Sequence, residues 1–214
     1  MSTRNAIALW LRKSVVGVVS VLLFCGSCTK NAPKAEGTGQ LGVASWYGHP
    51  FVGRLTANGE VYDMEKLTAA HRTFPFGTVL RVENLSNQRT VEVRINDRGP
   101  FVQGRIIDLS HAAAQSISVQ GIANVRLQVI STPPTRAADM FAVQVQAFEQ
   151  RSDAEHLRDQ MEKKYGTARI VFRTGDQTWR VLVGLESTIE AANALAQRLE
   201  KDGGPAFVVL LDSE

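Results

Sequence analysis

The stretch VRINDRGPF, residues 93–101, places a carboxylate where a strand ends. Val93 and Ile95 alternate with polar residues up to Asp97, and a Gly-Pro pair follows two positions later. Alternation of this kind is typical of a half-buried strand, and Gly-Pro favours a turn. Asp97 is therefore either part of a strand-ending turn or a working acid. We expect the side chain of Arg98 to point away from it, because successive strand residues project to opposite faces.

Two further residues have side chains that can move protons. Glu60 lies in TANGEVYD and His71 lies in LTAAHRTF. Carboxyl and imidazole groups are common general acids and bases, but each of these residues also has an ordinary structural interpretation. Asn-Gly-Glu is typical of a solvated turn, and a single histidine is usually a hydrogen-bonded structural residue. Residue type and position alone leave both interpretations open.

Other polar and aromatic residues near these motifs have less specific patterns. Asp108 and Ser110, in RIIDLSHAAA, are interpreted as the polar start of a short helix, with Ser110 as its N-cap. Trp46 and Tyr47 either stack on sugar rings or belong to the core. His111 has no companion at the spacing of metal ligands, so we predict no metal site and no cofactor.

The composition indicates a globular chain with room for two small domains. It has 214 residues, of which 44% are hydrophobic, and a formal net charge of +3. Residues 1–27 hold three basic residues and no acidic one, so the remainder has 21 Lys and Arg against 21 Asp and Glu. A neutral chain has no electrostatic basis for binding nucleic acid, which we exclude as a partner.

Residues 1–28 are predicted to be an export signal. Basic residues precede an apolar run, residues 15–24, that is too short for a comfortable membrane-spanning helix. The sequence CGSC that ends it resembles the lipobox of bacterial lipoproteins, in which Cys28 becomes the lipidated first residue; ordinary cleavage is the alternative. Thr29, in place of Asp, then favours the outer membrane. Cys25 and Cys28 are the only cysteines, so both later domains are expected to fold without disulfides.

Two polar linkers divide the rest of the chain. Residues 29–40 have the Gly and Pro content of a tether, and residues 132–138 include Pro133 and Pro134. The first domain then covers residues 41–131 and the second covers residues 139–214. The second linker predicts that the two domains fold independently and constrain each other little.

Short alternating segments dominate residues 41–131. Asn84 to Arg89 is predicted to be the loop of a hairpin, and one short helix follows Ser110. Many short strands without long helices favour a small closed barrel. The segments are LGVASWYG, GTVLRVENL, RTVEVRIND, RIIDLS and ANVRLQVIS.

Residues 139–214 read as strand, helix, hairpin, helix and strand, a βαββαβ order in which one sheet is backed by two helices. Capping boxes are predicted at Ser152 with Glu155 and at Ser187 with Glu190, and the hairpin turns at Gly175-Asp176. In FAVQVQAF, the residues at 141, 143 and 145 are expected to face the helices. Those at 142, 144 and 146 are expected on an open sheet face.

These motifs resemble a known family. The first domain resembles the double-psi β-barrel of the rare lipoprotein A family, whose members are septal lytic transglycosylases of the bacterial wall. The motifs that carry this resemblance are GVASWYG, TANGEVYD, LTAAHRTFPFGTVLRV, VRINDRGPF and GRIIDLSHAAA. The SPOR domain, which binds glycan strands stripped of stem peptides, is similar to FAVQVQAF and WRVLVG. The resemblance implies a mainly β fold followed by an α+β fold: a six-stranded double-psi β-barrel and then a ferredoxin- or RNP-like SPOR domain.

The family resemblance implies a catalytic set of Glu60, His71 and Asp97. The implied reaction cleaves the β-1,4 bond between N-acetylmuramic acid and N-acetylglucosamine without water, leaving a 1,6-anhydro end. Asp97 is predicted to be the acid and base. His71 orients Asp97 or contacts substrate, and Glu60 fixes the His71 tautomer or shares a proton. The residues alone also permit these roles to be exchanged.

The same resemblance implies glycan contacts at Gln144, Trp179 and Arg180. Strict alternation leaves Arg180 on the open face beside Gln144 and turns Trp179 to the opposite face. The implied protein is lipid-anchored through Cys28, faces the periplasm and is enriched at the division septum, with peptide-free glycan strands as its partner. The main alternative is a non-catalytic septal peptidoglycan-binding lipoprotein, because expansin-type barrels loosen polysaccharide without cutting it. A purely structural septal adaptor is a further alternative.

Overall fold

The computed structural model describes residues 39–134 and 139–211. The predicted signal, Cys28 and the tether up to residue 38 lie outside the described residues, as does part of the second linker. Within those two ranges, none of the helices has the length and apolar character that crossing a membrane requires.

The first part of the described chain is a closed barrel, with strand order β1-β5-β2-β4-β3-β6. The pairs β1–β5 and β2–β4 are parallel, and the other neighbours are antiparallel. This barrel confirms the predicted fold class of the first domain. Its strands are β1 (Gln40–Tyr47), β2 (Thr68–Ala70), β3 (Val79–Asn84), β4 (Thr90–Asp97), β5 (Arg105–Ser110) and β6 (Ala123–Ser131).

The β3–β4 hairpin shows why alternation predicted these strands. Leu80 lies opposite Val93 and Val82 lies opposite Val91, and all four side chains point into the barrel core. The loop from Asn84 to Arg89 was predicted and is confirmed. Burial of every second residue on both strands fixes the register, because a slip by one position would turn the apolar side chains to solvent.

Helix α1 (His111–Ser116) begins as predicted. Ser110 is its N-cap, and the Ser110 hydroxyl accepts a hydrogen bond from the Ala113 N–H. Strand β2 was not predicted as a separate element, because three residues are too few to show a period.

The second part is a four-stranded sheet of order β10-β7-β9-β8 with two helices, and it confirms the predicted βαββαβ order. Val143 and Val183 pack with α3 on one face, and Phe141 and Val145 join them, as the alternation predicted. The elements are β7 (Phe141–Phe148), α2 (Arg151–Tyr165), β8 (Ala168–Arg173), β9 (Thr178–Glu186), α3 (Ile189–Lys201) and β10 (Phe207–Leu210).

Both predicted capping boxes are wrong in position. The N-cap of α2 is Gln150, without a side-chain cap, so Ser152 lies inside the helix. The N-cap of α3 is Thr188, whose hydroxyl accepts from the Ala191 N–H at 3.2 Å. Ser and Thr are both good N-cap residues, and helix starts read from sequence are uncertain by one or two positions, so the pattern did not distinguish Ser187 from Thr188.

The sheet face opposite the helices is not open. Ala142 and Leu182 on this face are buried together with Phe101 of the barrel. The prediction that the two halves constrain each other little is therefore wrong. A proline-containing linker limits neither packing nor the approach of two surfaces that are complementary.

Candidate active site

Asp97 is the last residue of β4, and the parallel pairing of β2 with β4 brings His71 beside it. Ala70 lies opposite Asp97, and the His71 N–H donates to the Asp97 carbonyl at 3.1 Å. The two predicted residues are thus neighbours through the backbone. The pairing follows from topology, since β2 and β4 are separated in sequence by β3.

The Asp97 carboxylate is fixed by three donors, all on Oδ1. The backbone N–H groups of Ala57 and Arg98 donate at 2.9 and 2.7 Å. The third donor is Arg173 Nη1 at 3.1 Å, from the C-terminal sheet. The Asp97 side chain remains 21% exposed. Oδ1 is therefore held in place, and Oδ2 is the oxygen that receives none of these three bonds.

The side chain of Arg98 points away from Asp97, as alternation predicted. Its Nη1 donates to the carbonyls of His71 and Phe74 at 3.2 and 2.8 Å. Its guanidinium lies 3.8 Å from the ring centroid of Phe76, a close cation–π contact. Arg98 therefore holds the segment after β2 against the end of β4.

The turn that contains Glu60 is ordered by its own side chains. Asn58 Oδ1 accepts from the Thr56 hydroxyl at 2.7 Å and from the Glu60 N–H at 3.1 Å. The Asn58 N–H donates to the Asn96 carbonyl at 3.3 Å, next to the bond from Ala57 to Asp97. The structural interpretation of Asn-Gly-Glu as a turn is thus correct, and this turn supports Asp97.

Glu60 pairs with Arg94 and not with His71, contrary to the predicted arrangement. Its two carboxylate oxygens accept from Arg94 at 2.8 Å each, and Asn96 Nδ2 donates at 3.1 Å. The hydrogen bonds from Arg94, more than any other contact, lower the pKa of Glu60 to about 2. A carboxyl group with that pKa holds no proton near neutral pH, which argues against Glu60 as the acid.

His71 is buried and its ring is fully bonded. Its Nδ1 accepts from the N–H groups of Thr73 and Phe74, each at 3.1 Å, so Nε2 carries the hydrogen and faces Gln40 Oε1 at 3.3 Å. Burial, followed by the charges of Arg72 and Arg98, lowers the pKa of His71 to about 3. The backbone therefore fixes the neutral tautomer, a role that had been predicted for Glu60.

This burial predicts an acid-sensitive stability. His71 binds a proton near pH 6.5 when unfolded and only near pH 3 when folded. Acidification therefore favours the unfolded chain between these values, by roughly 3 kcal/mol at pH 4. Urea unfolding of wild type and His71→Asn at pH 7 and pH 4 should show a smaller loss in the variant. His156→Asn, an exposed histidine of α2, is the control. An equal loss in wild type and His71→Asn would contradict the assignment.

Asp108 is a second carboxylate at the site, which sequence reasoning missed. It does not start the helix; its Oδ1 accepts from the hydroxyl of Ser45, opposite it on β1, and lies 4.0 Å from Arg105 Nη1. Burial raises the pKa of Asp108, opposed by the Ser45 bond, and the charge of Asp97 raises it further. One feature of the sequence could have indicated this role: in RIIDLS, Asp108 lies between two residues that are buried, Ile107 and Leu109.

The two aromatic candidates of β1 have different surroundings. Trp46 is 37% exposed and its ring centroid lies 5.3 Å from that of His111. Tyr47 stacks on Tyr62 at 4.3 Å, and among the described residues its buried hydroxyl has no hydrogen-bond partner. Burial, and then the charge of Asp97, raises the pKa of Tyr47. Tyr47 is thus an uncharged, buried aromatic residue close enough to Asp97 to feel its charge, and Trp46 is a surface residue.

Gln144 and Arg180 come together on the C-terminal sheet, and Trp179 does not join them. Arg180 Nη1 donates to Gln144 Oε1 at 2.9 Å, as their shared face predicted. Trp179 lies on the helix side, where the Arg151 guanidinium is 5.0 Å from its ring. Gln144 and Arg180 are only 4% and 8% exposed, and the Arg180 guanidinium lies 4.3 Å from the ring centroid of Phe101 of the barrel.

Among residues 39–134 and 139–211, no group of three or more His, Cys, Asp or Glu side chains is arranged to hold a metal ion. The site of the barrel therefore consists of carboxylates, one neutral histidine and arginines.

Comparison with known proteins matches both halves of the chain. The family model described as lytic transglycolase matches residues 40–128, and the SPOR domain model matches residues 137–210. Three curated relatives share the description endolytic peptidoglycan transglycosylase RlpA. The Vibrio cholerae protein is 53% identical over 104 residues, which is 47% of this chain and 40% of that protein. The Campylobacter jejuni protein is 58% identical over 91 residues, 42% of this chain and 33% of that protein.

The Helicobacter pylori J99 protein matches over both halves, with 38% identity over 184 residues, 70% of this chain and 58% of that protein. The chain thus covers less than two thirds of the length of each of these relatives. The closed barrel and the βαββαβ sheet define a double-psi β-barrel protein with a C-terminal SPOR domain. The chain belongs to the rare lipoprotein A family.

Proposed function

We propose that this protein is an endolytic peptidoglycan lytic transglycosylase whose acid and base is Asp97. The observation that carries the proposal is the Asp97 carboxylate itself, with Oδ1 held by two backbone N–H groups at a strand end and the side chain 21% exposed. The family and its relatives support the choice of substrate, the peptidoglycan glycan strand.

In the proposed reaction, Asp97 Oδ2 donates a proton to the glycosidic oxygen, and the bond from that oxygen to C1 of N-acetylmuramic acid breaks. The C6 hydroxyl of the same sugar closes on C1, and its proton returns to Asp97. An intramolecular hydroxyl acts at high effective concentration, so one carboxylate serves where hydrolysis usually needs two. Glu60 and His71 act as positioning residues, because their contacts hold the turn and the strand beside Asp97.

The products test this proposal. Protein lacking the predicted signal segment, incubated with peptide-free glycan strands, should release fragments that end in 1,6-anhydro-muramic acid, as detected by mass spectrometry. Reducing ends in their place would mean a hydrolase. Glycan that is bound but not shortened would favour the non-catalytic alternative.

The SPOR domain supports a further proposal about placement, namely that the protein acts on peptide-free strands in the cell envelope at the division septum. Gln144 and Arg180 remain the proposed glycan contacts, and Trp179 is proposed only to support the sheet from its helix side.

A lipid on Cys28 is proposed to anchor the chain at the outer membrane. Fatty acid label should enter wild type and Cys25→Ser but not Cys28→Ser, and label retained in Cys28→Ser would refute this anchor.

A further inference from the structure

A loop of the barrel covers the sheet face of the SPOR domain that lies opposite its helices. On that face Ala142, Leu182 and Val209 are 0%, 7% and 5% exposed, and Phe101 and Leu211 pack against them. Phe101 belongs to the segment that follows β4, so the barrel itself supplies the apolar centre of this contact.

Two arginines and a second ring from the SPOR domain surround Phe101. The guanidinium of Arg180 lies 4.3 Å from the Phe101 ring centroid, and that of Arg173 lies 5.9 Å from it. Phe207 meets the ring edge to face at 6.0 Å. Cation–π and aromatic contacts of this kind are favourable and depend on the ring remaining between these groups.

Hydrogen bonds also join the two halves at opposite edges of the SPOR sheet, at the turn between β8 and β9 and on β10. Arg54 Nη1 donates to the Gly175 carbonyl at 3.2 Å, and the Leu210 N–H donates to the Arg72 carbonyl at 3.0 Å. Arg173, the last residue of β8, donates from Nη1 to Asp97 Oδ1 and to the Arg98 carbonyl at 3.1 and 3.2 Å. The contact therefore includes Asp97 of the candidate active site.

One contact thus engages residues of both proposed sites. Arg173 is ion-paired with Asp97 through Oδ1, the Phe101 ring lies against the Arg180 guanidinium, and Gln144, bonded to Arg180, is buried on the same face. We propose that this arrangement is an autoinhibited closed state, in which peptide-free glycan competes with Phe101 for the sheet face and so frees Asp97 from Arg173. This inference rests on the proposed function, and it adds that binding to the SPOR domain controls cutting by the barrel.

The charges in the contact explain why a ligand can open it. Arg173 and Arg180 are both largely removed from solvent, with Asp97 and Asp176 as their counter-charges. Burial, and then the neighbouring charge of Arg180, lowers the pKa of Arg173 to about 10, while Asp97 opposes that shift. Burying two adjacent cations is costly, so separation returns them to water and offsets part of the lost contact.

Gly175 offers a way to disrupt the closed state without removing a group from either site. A Cβ at this position would lie 2.3 Å from the Leu55 carbonyl oxygen of the barrel, and its φ is not in the left-handed region. Gly175→Ala should therefore separate the two halves while each remains folded. Gly121→Ala is the matched control, because a Cβ there meets nothing within 4 Å.

Small-angle scattering of the protein without its predicted signal segment should show a larger radius of gyration for Gly175→Ala than for wild type. Its initial rate on short soluble peptide-free glycan should rise at least about fivefold. Arg173→Gln should raise the rate in the same direction, and Arg198→Gln on α3 is its charge-matched control. The affinity for glycan should also rise in Gly175→Ala.

These measurements separate the two ideas. Wild type and variants that all lack anhydro products would refute the proposed function, and the closed state is then judged by scattering and glycan affinity. An unchanged radius and affinity in Gly175→Ala would overturn the closed state. A larger radius with an unchanged or lower rate, in a protein that does cut glycan, would overturn autoinhibition.

Discussion

Asp97→Asn should lower the rate of anhydro-fragment release at least about a hundredfold, which is the usual cost of removing a general acid. Asparagine keeps the size of the side chain and an oxygen that can accept from the N–H groups of Ala57 and Arg98, so the strand end should keep its geometry. The lost property is the ability to donate and take back a proton. Product release is measured by chromatography of reduced glycan fragments.

Glu92→Gln is the control for this experiment, because Glu92 is an exposed carboxylate on the same strand that pairs with Arg81. It should leave the rate within about twofold, as expected for an exposed ion pair. Circular dichroism of Asp97→Asn should match wild type. A folded Asp97→Asn variant with the wild-type rate would remove Asp97 from the mechanism.

Gly184→Ala should have the largest effect on stability. Gly184 has a φ of 83°, and a Cβ there would lie 2.4 Å from Leu195 Cδ2 in the core beneath α3. A left-handed backbone and a clash in a packed core together should lower the free energy of unfolding by about 3 kcal/mol. The SPOR sheet would lose much of its stability, since small domains have a narrow margin.

Trp179 reports on this sheet, and the loss is measured by denaturant unfolding followed by its fluorescence in a Trp46→Phe background of the protein without its predicted signal segment, which contains Trp10. Gly203→Ala is the matched control, because its φ is 96° and a Cβ there meets nothing within 4 Å. It should lose only the backbone contribution, about 1 kcal/mol. Equal losses in the two alanine variants would show that Leu195 moves aside without cost.

Alternation predicted the parts of this fold in which one face of a strand is buried. It assigned the strands of the β3–β4 hairpin and the common face of Gln144 and Arg180, and capping preference assigned the N-cap at Ser110, because each of these depends on the pattern within one short segment. It also turned Trp179 to the helix side, in agreement with the structure.

Contacts between residues that are far apart in the sequence could not be predicted from local patterns. Glu60 was assigned to His71, but strand β4 places Arg94 and Asn96 nearer to it. Arg173 is 76 positions from Asp97, and no local pattern connects them. Asp108 looked like the start of a helix because its partner, Ser45, lies on another strand. Residue type thus suggested the candidate residues, and their partners became visible only in the fold.

Strand β10 is an edge strand of the SPOR sheet, and the contact between the two halves protects this edge. A sheet edge presents unpaired N–H and carbonyl groups to which another chain can add a strand, which leads to aggregation. Here the Leu210 N–H on the outer edge of β10 already donates to the Arg72 carbonyl of the barrel. Separation of the halves frees that group, so self-association at high protein concentration should follow the population of separated molecules. Storage conditions that keep the halves together should therefore also keep the protein monodisperse.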